Sequence, residues 1–148
     1  MNPGDLQRYL HDRIPLARAM QVEVRAATTD GVEIYAPLEP NINHRDTVIG
    51  GSASAVAILA AWSAPYVRMR AAGRAGWLVI RRNRMSYERP IVAGFTATAA
   101  PPDDAAWAKA VAALAKGRPA RVSMSVTLEC QGEAVGRLDG EFVVMPVA

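Results

Sequence analysis

Between Ser52 and Ser63 the chain reads Ser-Ala-Ser-Ala-Val-Ala-Ile-Leu-Ala-Ala-Trp-Ser, a helix-forming run with no charged residue. A helix that is apolar all round has to be buried all round. Ala53, Val56, Ala57, Ala60 and Ala61 keep its surface low, with Ile58, Leu59 and Trp62 between them. Small side chains let neighbouring strand backbones approach closely. A curved antiparallel sheet wrapped around this one helix meets the demand, so the expected class is α+β. The chain's 148 residues suit a single domain over 1–148 with one sizeable core.

The flanking sequence supplies such a sheet. Asn2 and Pro3 open a short helix over 3–14, with Leu6, Tyr9, Leu10 and Arg13 at helical spacing. Met20, Val22, Val24 and Ala26 alternate with polar residues and predict a strand. Thr29-Asp30-Gly31 turns the chain into a second strand carrying Val32, Ile34, Ala36 and Leu38. The central helix covers 51–63 and extends to about 72 if Pro65 only kinks it. A strand begins at Trp77–Ile80 and ends before Pro90; another spans 94–100, with Phe95, Ala97 and Ala99 on one face. Asp103 caps a second long helix that stops at Gly117, with Trp107, Val111 and Leu114 on one side. Strands over 122–130 and about 134–146 complete the chain.

Composition narrows the function classes. Apolar residues make up 51%, which argues against disorder. Net charge is +3, and of the 17 basic residues only Lys109 and Lys116 are lysine. Arginine suits phosphate and carboxylate partners. No basic run exceeds two residues, so a nucleic-acid partner is not expected. The longest apolar stretch, Ala53 to Val67, is too short and too interrupted to span a bilayer. Cys130 is the only cysteine, which excludes an internal disulfide and points to a reducing cytoplasm. His11 reads as a surface helix position, and two histidines without ligand spacing predict no metal site.

The chemistry-bearing residues cluster just before the central helix. Asn41, Asn43, His44, Asp46 and Thr47 lead into Gly50-Gly51. A helix start exposes unpaired N–H groups and the positive end of the dipole. Glycines let a ligand oxygen come close, so Gly50 and Gly51 are candidates for oxyanion binding. The bland alternative is a loop that caps a core helix.

The blocks Ala-Pro-Leu-Glu-Pro-Asn-Ile-Asn-His at 36–44, Thr47 with Gly50-Gly51, and Ser-Tyr-Glu-Arg-Pro-Ile at 86–91 followed by Gly94 carry a resemblance. The chain resembles the hot-dog-fold thioesterase family represented by the C-terminal domain of YiiD, over essentially its whole length. The resemblance implies hydrolysis of acyl thioesters of coenzyme A or acyl carrier protein, with no cofactor. It assigns carbonyl polarisation to the Gly50 N–H and puts Asn43 at the asparagine position seven residues before the first glycine. It implies a homodimer, or a dimer of dimers, formed edge to edge. Many relatives carry an acid eight residues beyond that glycine; here the position is Ile58, and residues 52–67 contain no acid.

Water activation therefore needs another group. Asp46 is the nearest acid and is a candidate base, a loop cap or a partner of Arg45. His44 with Asp46 would suit a hydratase or dehydratase; a solvent-facing loop histidine is the plain reading. Asn43 can orient water or form an Asx turn. Ser52 and Ser54 lack a histidine partner for nucleophilic chemistry. Glu88, between Tyr87 and Arg89, reads as half of a local ion pair at a strand end. Strand alternation sends Arg82 and Arg84 to one face and Arg81 to the other, making the first two candidates for a carrier phosphate. Without an acid, a non-catalytic thioester-binding module also fits.

Overall fold

The computed structural model describes residues 1–147, so the final residue of the expected domain lies outside them. Helix α1 (Pro3–Arg13) starts as its sequence dictates. The Asn2 side chain accepts from the Asp5 N–H, and the Asp5 carboxylate accepts from the Asn2 N–H, a reciprocal capping box. That backbone bond, with Arg8 alongside, holds the Asp5 carboxyl below the usual carboxylate range. The helix stops at Ile14, which is extended because Pro15 follows it. A short helix α2 (Pro15–Ala19), absent from the expected elements, starts on that proline. His11 is not a plain surface residue: its Nε2 donates to the Val22 carbonyl at 2.8 Å and ties α1 to the sheet.

Strands β1 (Glu23–Thr28) and β2 (Gly31–Ala36) form the expected hairpin, shifted from the expected boundaries. Met20 closes α2, Leu38 leads into a 3-10 turn over Glu39–Asn41, and a bulge between Val24 and Ala26 passes burial to Ala27. The central helix α3 is Gly50–Ala71, with Pro65 accommodated inside it. No residue from 52 to 69 is exposed, and α3 touches all six strands.

Strands β3 (Trp77–Tyr87) and β4 (Phe95–Ala99), helix α4 (Asp104–Ala115), and strands β5 (Ala120–Cys130) and β6 (Glu133–Met145) follow. The Asp103 side chain caps α4, and Gln131-Gly132 makes the two-residue turn between β5 and β6 with positive φ at both positions. The strands form one antiparallel sheet in the order β1-β2-β4-β5-β6-β3. The sheet curls around α3, which is the hot-dog fold. Its inner face carries Val122, Met124, Val126, Leu128 and Cys130 from β5, all buried.

Strand β3 is an edge with nothing on its far side in the single chain. A bulge between Ile80 and Arg82 breaks its alternation. Arg81 therefore shares the outer face with Arg82 rather than opposing it, and its guanidinium donates to Glu141 at 2.9 Å.

Candidate active site

Two polar anchors shape the loop ahead of α3. Asn41 is buried; its Nδ2 donates to the Met20 and Pro37 carbonyls, and its backbone carbonyl accepts from Ile49 N–H at 2.8 Å. Asn43 closes the loop tip. Its Oδ1 accepts from the N–H groups of Arg45 (2.8 Å) and Thr47 (3.2 Å), and its Nδ2 donates to Thr47 Oγ1 at 2.8 Å. Its backbone N–H also donates to the Thr47 carbonyl. The side chain is an Asx-turn brace. It ties the loop tip to Thr47.

His44, Arg45 and Asp46 are all exposed, and Asp46 adopts φ 61°, a left-handed conformation that aspartate tolerates. Asp46 forms no ion pair with Arg45 among the described residues. Neither His44 nor Asp46 borders the cavity described next.

That cavity, of about 400 Å³, opens where the start of α3 meets the end of β3. Ala53, Met85, Leu128 and Val135 make an apolar floor, and Thr47, Gly50, Tyr87, Glu88 and Arg89 line the rest with Val48, Pro90 and Ile91. Ile49 caps α3 without a side-chain bond. Its carbonyl accepts from Ser52 and Ala53, leaving the Gly50 and Gly51 N–H groups without protein acceptors among the described residues. Gly50 faces the cavity; Gly51 is exposed beside it. The Tyr87 ring covers Gly50, and its hydroxyl donates to the Gly50 carbonyl at 3.3 Å. A Cβ on Gly50 would sit 3.4 Å from Tyr87 Cε1, in ordinary van der Waals contact with the ring. Ile58 lies further along α3, half-buried against the core.

The end of β3 does not hold the local ion pair that its sequence suggests. Arg89 pairs with Glu133 at 2.6 Å, not with its neighbour Glu88. The N–H groups of Glu88 and Arg89 both donate to the Val135 carbonyl, at 3.0 and 3.1 Å. Two consecutive amides on one carbonyl mark a bulge, which re-aims side chains. The Tyr-Glu-Arg-Pro run before Ile91 was the available signal.

Arg82 and Arg84 stand apart, on the outer face of β3 beside Asp139 and Glu141. Those acids are already engaged. Arg81 takes Glu141, while the Ser125 hydroxyl donates to Asp139 at 2.7 Å and Arg137 lies alongside. The hydroxyl bond and the guanidinium hold the Asp139 carboxyl below the usual range. Arg82 and Arg84 form no ion pair among the described residues.

A sheet curled around a buried helix, with an apolar-floored cavity at that helix's N-terminus, defines a protein of the hot-dog fold. The chain belongs to the family described as "Putative thioesterase (yiiD_Cterm)", which it matches over residues 4–146. A Shewanella oneidensis protein, likewise described as a putative thioesterase, is similar at 26% identity over 97% of each chain, with a TM-score of 0.88. A Chlorobaculum tepidum protein of unknown function is similar at 23% identity over 99% of this chain and 98% of its own, with a TM-score of 0.90. A Haemophilus influenzae thioesterase shares the fold with a TM-score of 0.78 at 14% identity, over 99% of this chain and 92% of its own. No helix among the described residues is long and apolar enough to cross a membrane.

Proposed function

We propose that the protein hydrolyses acyl thioesters of coenzyme A or acyl carrier protein in the cavity at the start of α3. One observation carries this reading: Gly50, whose N–H has no protein acceptor among the described residues, lines a cavity whose floor is apolar. The thioester carbonyl oxygen takes the Gly50 N–H, helped by the helix dipole, as negative charge develops on it. Gly51 adds a second free N–H at the same helix end. The acyl chain lies on Ala53, Met85, Leu128 and Val135. Asn43 holds Thr47 at the cavity wall. Arg82 and Arg84, on the outer face of β3 and without an ion pair among the described residues, are the candidates for the carrier's phosphate.

A series of acyl-CoAs from two to sixteen carbons, read by thiol release, tests the reading. Turnover of one or more members is the expected result. The absence of an acid on α3, with Ile58 in that place, favours one second reading: a binding module without turnover. Saturable binding of an acyl-CoA with no thiol release across the series would establish it.

A further inference from the structure

We infer that Glu88 is the base that activates water in this cavity, in the role for which α3 offers no carboxylate; the inference rests on the thioesterase reading above. Residues 50–71 contain no acid, and Glu88 is the sole acid lining the cavity among the described residues. It borders the same cavity as Gly50, one residue from the Tyr87 ring that covers Gly50. The shared Val135 carbonyl marks the bulge that re-aims its side chain as β3 ends. Its carboxylate is not spent elsewhere. Arg89, the adjacent cation, is held by Glu133, and Glu88 has no ion pair among the described residues. Its exposure leaves it open to the water it would use.

The step balances with water alone. The Glu88 carboxylate takes a proton from water as the water oxygen bonds to the thioester carbon. The carbonyl π pair moves onto the oxygen that faces the Gly50 N–H. Collapse re-forms the carbonyl and breaks the C–S bond; sulfur leaves with that pair and receives the proton back from Glu88. The products are a carboxylic acid and a thiol.

The test uses the full chain and the acyl-CoA that the parent turns over fastest. Glu88→Gln is expected to lower kcat by about 10²- to 10⁴-fold, the range for a positioned base, with KM within about twofold and the unfolding midpoint unchanged. Hydroxylamine attacks thioesters without a base. The variant is expected to form hydroxamate at the parent's rate, because the oxyanion contact is intact. A Glu88→Gln kcat within about threefold of the parent overturns the assignment and leaves the thioesterase reading standing. So does loss of both the water and the hydroxylamine reactions, which would mark Glu88 as structural. A parent inactive on every acyl-CoA removes both.

Discussion

At the residue scale, Asn43 is a brace, and the brace has a measurable strength. Its side chain makes three hydrogen bonds, two of them accepted from backbone N–H groups. Asn43→Ala should lower stability by about 1–3 kcal/mol, at roughly 1 kcal/mol per bond less what water restores. It should also lower kcat, because Thr47 loses its partner at the cavity wall. Asn43→Asp keeps both backbone bonds and should recover most of the stability; thermal unfolding and acyl-CoA turnover, measured together, check both variants. The free guanidiniums of Arg82 and Arg84 make a second residue-scale prediction. Arg82→Ala with Arg84→Ala should raise KM for acyl-CoA with little change in kcat, since phosphate is remote from the reacting carbonyl. A parental KM at low salt would assign both to the solvated outer face.

Residues were legible in the sequence where chemistry and spacing coincided. Gly50, Thr47 and the Asn43 turn could be read from the loop itself. Glu88 could not. Its local ion pair was a fair expectation from neighbours in the chain, but Glu133 reaches Arg89 from β6, 44 positions further on. A tertiary contact freed the acid, and no local pattern records it. The bulges at Val24, Ile80 and Glu88 were hidden for the same reason. Each depends on the partner strand's register, so alternation misjudged Arg81.

At the scale of elements, α3 explains why alanine dominates its sequence. Ala57, Ala60 and Ala61 are each fully buried. Larger side chains there would push the sheet away from the helix. Ala60→Leu should therefore destabilise the fold by about 1–3 kcal/mol, the usual cost of overpacking a filled core, seen as a lower denaturant midpoint. A midpoint equal to the parent's would show that the sheet has slack. This packing could be read in advance because an uncharged helix leaves few choices. The short α2 could not: five residues carry no period, and only the Ile14-Pro15 break announces it.

At the scale of the molecule, β3 is unfinished. It is an 11-residue edge strand, with Trp77 63%, Val79 44% and Tyr87 59% exposed. Its apolar start, Trp77–Ile80, is unpaired on the far side in the single chain, and such an edge invites pairing. We propose a homodimer joined at β3, which would set each cavity, walled by Met85 and Tyr87 of that strand, beside the partner. Sedimentation at micromolar concentration should give at least twice the 15.9 kDa chain mass. Val79→Lys should shift it toward the monomer and reduce turnover with it; a monomeric parent would end the proposal.

The two free amides at the start of α3 have a consequence for time as well as for chemistry. Hydrogen exchange is slow where an N–H is both bonded and buried. From Val56 to Met69 no residue of α3 is exposed, and its amides should exchange only when the protein opens widely. Gly50 and Gly51, on the same helix, have no protein acceptor among the described residues; Gly50 lines the cavity and Gly51 is exposed. They should trade their hydrogens almost as fast as an unstructured peptide. One helix thus carries both ends of the protein's range of exchange lifetimes. An acyl-thioester analogue seated on Gly50 would slow that single amide while the slow end of the helix kept its own clock.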